Sequence, residues 1–131
     1  MEELYNLDIS DNTIKAMMEY NPNIKEMTKD EINEKIALLE GINCTDDEIR
    51  NIISSNSRYL GRTNEEVLDL ISSLENYGFK SINVLLDSNP YILNLDVFEI
   101  EDYINNKKES GMSLEEIVDE LDSNPELFNE M

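Results

Sequence analysis

Apolar residues recur in this chain on two nested periods. Aligned on Asn21, Asn56, Asn89 and Asn124, four similar segments lie 35, 33 and 35 residues apart. Seven residues before each asparagine stand Ile14, Ile49, Ile82 and Ile117, and three before it stand Met18, Ile53, Leu86 and Leu121. With Met17, Ile52 and Leu85 four before it, this spacing puts one apolar face on a helix that runs into the asparagine. Pro22, Pro90 or Pro125 follows in three copies. Proline disfavours α geometry in the residue before it and donates no amide hydrogen bond, so the helix should stop there. Ser57 takes its place in the second copy, where a softer stop is expected. The short apolar stretch after it, with Ile24, Tyr59, Ile92 or Leu127 three past the asparagine, reads as a tight 3₁₀ turn.

A second helix follows. Ile32, Val67 and Ile100 stand eleven past the asparagine and Ile36, Ile71 and Ile104 fifteen past it, which is i, i+4 spacing. Thr28–Glu31, Thr45–Glu48, Thr63–Glu66 and Ser113–Glu116 read as capping boxes at helix starts. Gly41, Gly78 and Gly111 sit where left-handed C-terminal caps belong. The pattern predicts seven helices, near 11–20, 29–40, 46–55, 64–77, 81–88, 97–109 and 114–122. No segment alternates with period two, so no sheet is expected. No linker divides the chain, which reads as a single α-helical repeat domain over residues 1–131. A period near 34 residues belongs to repeat architectures whose units each pack on their neighbours. In the last copy Glu120 and Lys107 replace apolar residues, as expected of a terminal unit with a polar outer face.

A helix, Asn-Pro-x-Ile/Leu-Leu, then a second amphipathic helix resembles the repeat of the mitochondrial transcription termination factor family. The likeness is clearest at Ile82–Leu95 and Ile117–Phe128, with Ile49–Leu60 a degenerate copy, and it spans residues 11–129. It implies an all-α, right-handed α-solenoid of three to four helix–3₁₀ turn–helix repeats with a concave face. Tetratricopeptide repeats share the period but not the small-residue and aromatic signature positions, and rank second. The resemblance also implies nucleic-acid binding along a basic concave surface.

Charge changes that picture. Thirty acids stand against ten bases, a net charge of −20 with no histidine. Residues 96–131 carry twelve of the acids and two of the bases. Such a surface repels free nucleic acid and anionic membrane and attracts basic partners. Ten scattered bases cannot build a continuous phosphate-tracking stripe, and Arg50, Arg58 and Arg62 are the only local cluster. A strip joining Lys80, Arg58 and Arg62 would restore nucleic-acid binding. The leading expectation from sequence is therefore a non-enzymatic protein-binding module for a basic partner, such as a nucleic-acid-binding protein. In its sharper form it is a nucleic-acid mimic or inhibitor. The alternative is a nucleic-acid binder of the resembled family. Glu99, Asp102, Glu115, Glu116 and Asp119 are the candidate partner-binding acids.

No catalytic, cofactor or metal constellation is legible. Paired carboxylates such as Asp46/Asp47 fall at capping positions, no Gly-rich phosphate loop or EF-hand pattern occurs, and one cysteine without histidine makes zinc a poor fit. Cys44 precedes a helix start, where a thiol pKa can fall, but reads as structural. Tyr59, Tyr91 and Tyr103 sit at repeat positions and read as core or groove packing rather than as base-stacking platforms. The lone cysteine and the acidic, signal-free N-terminus suggest a cytoplasmic protein.

Overall fold

The four asparagine-centred copies fold alike. A computed structural model describes residues 1–131. After a one-turn helix α1 (Glu2–Tyr5), the units run α2 (Asp11–Tyr20), η1 (Pro22–Glu26), α3 (Lys29–Glu40); then α4 (Asp46–Ser55), η2 (Ser57–Gly61), α5 (Asn64–Tyr77). They continue with α6 (Ile82–Ser88), η3 (Pro90–Asn94), α7 (Val97–Glu109), and end with α8 (Leu114–Ser123) and η4 (Pro125–Glu130). The η elements are the 3₁₀ turns. First helices stack on first helices (α2 on α4, α4 on α6), second on second (α3 on α5, α5 on α7), and η1 to η4 form a row between them. This is an all-α repeat solenoid. All seven helices predicted from periodicity are present. The eighth, α1, has too few residues to show a period. It is held by Leu4, which is fully buried, and by its contact with α3.

The core is a row of repeated positions. Ile14, Ile49, Ile82 and Ile117 are all buried, as are Ile32, Val67 and Ile100. In the last unit only one of the two 3₁₀ core positions stays buried, the one four past the asparagine, where Leu60 and Leu93 are buried too. Phe128 is buried against Phe79, with ring centroids 6.0 Å apart, while Leu127 is only half-buried. Glu120 is half-buried where Met17, Ile52 and Leu85 are fully so.

The helix stops owe less to proline than expected. Asn56, before Ser57, has φ −138° and ψ 75°, matching the prolyl copies, such as Asn89 at −143° and 85°. The stop is therefore not softer in the second copy. Gly41 is not a left-handed cap either: its φ is −63°, the helix unwinds through residues 41–43, and Asn43 takes the positive φ of 69°. Asparagine tolerates that region better than most side chains. Gly78 and Gly111 do adopt it, at 107° and 103°.

Capping is more extensive than the sequence suggested. Complete boxes start α3, α4 and α8, and Asp96–Glu99 adds one at α7. At α5 the box is one-sided, because Glu66 turns to the Thr63 hydroxyl and the Arg62 guanidinium. The carboxyls of Glu31, Glu48 and Glu116 are held below the usual range, chiefly by the cap backbone N–H that donates to each. A lowered folded pKa means the unfolded chain binds more protons. That stabilisation is present above the unfolded pKa and lost as pH falls through the folded one. At about 1 M salt, which screens repulsion among the acids, Tm should drop between about pH 5 and about pH 3. Glu48→Gln should flatten part of that drop. A thermal scan series with identical slopes in both proteins would refute it.

Candidate functional site

The anchor asparagines do more than end helices. The Asn56 side-chain nitrogen donates to the Pro90 carbonyl at 2.9 Å and to Asn94 Oδ1 at 3.0 Å. One unit on, Asn89 donates to the Pro125 carbonyl at 2.9 Å and to Asn129 Oδ1 at 3.0 Å. Asn21 donates to Ser57 Oγ at 2.6 Å, the hydroxyl standing in for a prolyl carbonyl. Asn124 bonds only the Glu120 carbonyl of its own helix, at 3.3 Å. This ladder ties successive turns of the 3₁₀ row together, and two grooves lie along that row.

Three open grooves of several hundred Å³ are among those that indent the surface. One, of about 500 Å³, lies between the first and second units and includes Glu26, Glu31 and Glu34 in its wall. Another, of about 320 Å³, is walled by Glu2, Glu3, Glu40 and Asp46 among others. The remaining groove, of about 510 Å³, runs from the ends of α2 and α4 across η2 to η3. Its twelve lining residues include no aspartate or glutamate. They include Arg58, Tyr20 and Tyr91, set among Asn21, Asn94 and the α4 serines Ser54 and Ser55. Tyr20 is 85% exposed and Tyr91 53%. In a chain where 30 of 131 residues are acidic, the acid-free wall sets this groove apart.

The three arginines do different jobs. Arg50 pairs with Asp47 and donates to the Leu7 carbonyl at 3.4 Å, holding the N-terminal segment. Arg62 donates to the Leu93 and Leu95 carbonyls, each at 2.7 Å, and bonds Glu66 at 3.2 Å, stapling the second unit to the third. Only Arg58 is exposed and free of ion pairs. Lys80 borders none of these grooves and Arg58 and Arg62 line different ones, so no one of them joins Lys80, Arg58 and Arg62.

Tyr59 is a core residue, as its repeat position suggested, its hydroxyl donating to the Lys35 carbonyl, whereas Tyr91 stands half out of the surface on the wall of the groove. Lys35, a residue type that is ordinarily exposed, is 4% exposed and its ammonium bonds Asn64 Oδ1. Burial pulls its pKa below the ordinary lysine range. The available signal was positional: fourteen past the asparagine, Lys35 stands where the next units have Leu70 and Tyr103. Cys44 is buried and its thiol is pushed up to about 12 by desolvation, the opposite of an activated helix-start cysteine.

The five candidate acids are all exposed, on α7 and α8, which pack against each other. Glu99 and Glu116 are committed to capping boxes with Asp96 and Ser113. Asp102, Glu115 and Asp119 form no ion pair. Asp119 occupies the position of Asn51, five before the anchor, which in α4 donates across to Asp87 on α6 at 2.8 Å.

Stacked helix–3₁₀–helix units, an asparagine ladder between them and a groove laid across the 3₁₀ row define an α-helical repeat protein. The family model described as mTERF matches residues 1–131, and the chain belongs to that family. No curated protein matches it. No helix is long and apolar enough to cross a membrane.

Proposed function

We propose that the chain is a non-enzymatic, nucleic-acid-binding helical-repeat module of the mTERF kind. It would contact nucleic acid through the groove bordered by Arg58, Tyr20 and Tyr91. The observation that carries this reading is the acid-free wall of that groove in a protein of net charge −20. Half of the excess charge lies in residues 96–131, none of which lines the groove. At about 0.15 M salt, screening over about 8 Å limits what charges farther from the groove than that do there. Family membership supports the same reading. In fluorescence anisotropy at about 50 mM salt, a labelled DNA or RNA should bind saturably. Arg58→Glu, at an exposed position, should weaken that binding about tenfold or more while leaving Tm unchanged, because a charge reversal replaces attraction with repulsion. Equal binding by the variant would remove the groove from the interface.

A second reading rests on Asp102, Glu115 and Asp119, exposed and without ion pairs. Here the acidic end engages a basic protein, either as its docking partner or as a nucleic-acid mimic that blocks its binding site. Rim charges of this kind mainly raise association rates. A labelled Lys/Arg-rich peptide in the same titration separates the two readings. Its binding should slow on combined Glu115→Gln, Glu116→Gln and Asp119→Asn substitution, and unchanged association at low salt would leave the acids a solubilising surface.

A further inference from the structure

The groove holds a single cation. A duplex binder must match phosphates on two strands with several bases, and here only Arg58 is available; Arg62 is spent on backbone carbonyls and Glu66. The groove does offer two exposed aromatic faces. Tyr20 comes from the end of α2 and Tyr91 from η3, so they belong to units one and three and border the same groove with Arg58 of unit two. Tyrosine faces and an arginine plane are what an unstacked base requires: each base presents a π-face, and such stacking tolerates any sequence. Duplex bases keep those faces covered.

The ladder leaves a polar edge for the same ligand. Asn94 gives its Oδ1 to Asn56, and its side-chain nitrogen has no protein partner, so a donor is left on the groove wall. Ser54, also on the wall and half-buried, adds a hydroxyl. A volume of about 510 Å³ suits one or two nucleotides, not the width of a double helix.

We infer that this groove takes unpaired nucleotides of a single strand, with bases stacked on Tyr20 and Tyr91 and one phosphate on Arg58. This deepens the nucleic-acid reading above and rests on it. The shared chemistry is an unpaired base and its phosphate, found in single-stranded DNA and RNA alike.

The test is anisotropy on the full chain with four labelled probes of equal length: a dT oligomer, a U oligomer, and a DNA and an RNA duplex. Both single strands should bind, and the duplexes at least about tenfold more weakly. Tyr20→Ala and Tyr91→Ala should each weaken single-strand binding about fivefold or more, near the low end for one stacked base. Tyr20→Phe, which keeps the ring, should restore it. One phosphate contact predicts a shallow salt dependence, a log–log slope near about −0.7 for a single strand. If U binds and dT does not, or the reverse, the inference stands and the sugar is read as well. If duplex binds equally and only Arg58→Glu matters, the nucleic-acid reading survives and the unpaired-base inference falls. If no probe binds, both fall. A slope steeper than about −3 would mean phosphate tracking and also overturns the inference. Both tyrosines are exposed, and an unchanged melting curve checks that the variants fold.

Discussion

Ile92→Ala is expected to lower the unfolding free energy by about 2–4 kcal/mol in a denaturant titration. Ile92 lies in the 3₁₀ turn η3 and is fully buried. That turn touches η2 on one side and η4 on the other, and also α4 of the preceding unit. Truncation would therefore open a cavity at a junction between units and not inside one helix. In a solenoid each unit is stabilised mainly by its neighbours, so damage at a junction weakens both of them. Leu127→Ala, at the equivalent place in the last unit, should cost clearly less, because Leu127 is only half-buried and Phe128 fills the core there. A change under about 0.5 kcal/mol for Ile92→Ala, within the range of ordinary surface substitutions, would show that the 3₁₀ row does not hold the units together.

Asn56→Ala should cost a comparable amount, about 2–4 kcal/mol, though it removes little apolar surface. The Asn56 side chain is 3% exposed and makes two hydrogen bonds to the next unit. Removing a buried donor strands its acceptors, at about 1–3 kcal/mol for a group left unsatisfied. The internal control is Asn124→Ala. That asparagine is exposed and bonds only its own helix, so its loss should change stability by less than about 0.5 kcal/mol. If both variants unfold at the same denaturant concentration, the asparagines act only by ending helices, and the inter-unit ladder contributes nothing measurable.

The ladder also explains why the second copy ends its helix without proline. Asn56 reaches the same backbone angles as the prolyl anchors because its side chain is fixed between units. Proline is one means of stopping the helix, and the asparagine bond to the following unit is another. From sequence alone the asparagine was visible as a register mark. Its partner was not, since Pro90 and Asn94 lie 34 and 38 residues further on.

What the sequence determined by itself is the local part. Helix bounds followed from i, i+3 and i+4 spacing and capping boxes from residues three apart, both of which depend on neighbours within a few bonds or one turn, and the repeat followed from the recurrence of those local patterns. The family followed too, because its motif is a string of such local features. Tertiary structure alone decided the rest. It buried Lys35 beside Tyr59 and Asn64, drew Arg62 onto the Leu93 and Leu95 carbonyls, and left Arg58 as the one unpaired, exposed arginine. It also brought Tyr20, Arg58 and Tyr91, from three units, to a groove with no carboxylate in its wall. Composition averages charge over the chain, so a net of −20 gave no sign of an acid-free groove. The physical reason is that stacking geometry, not sequence distance, selects which side chains of successive units share a surface.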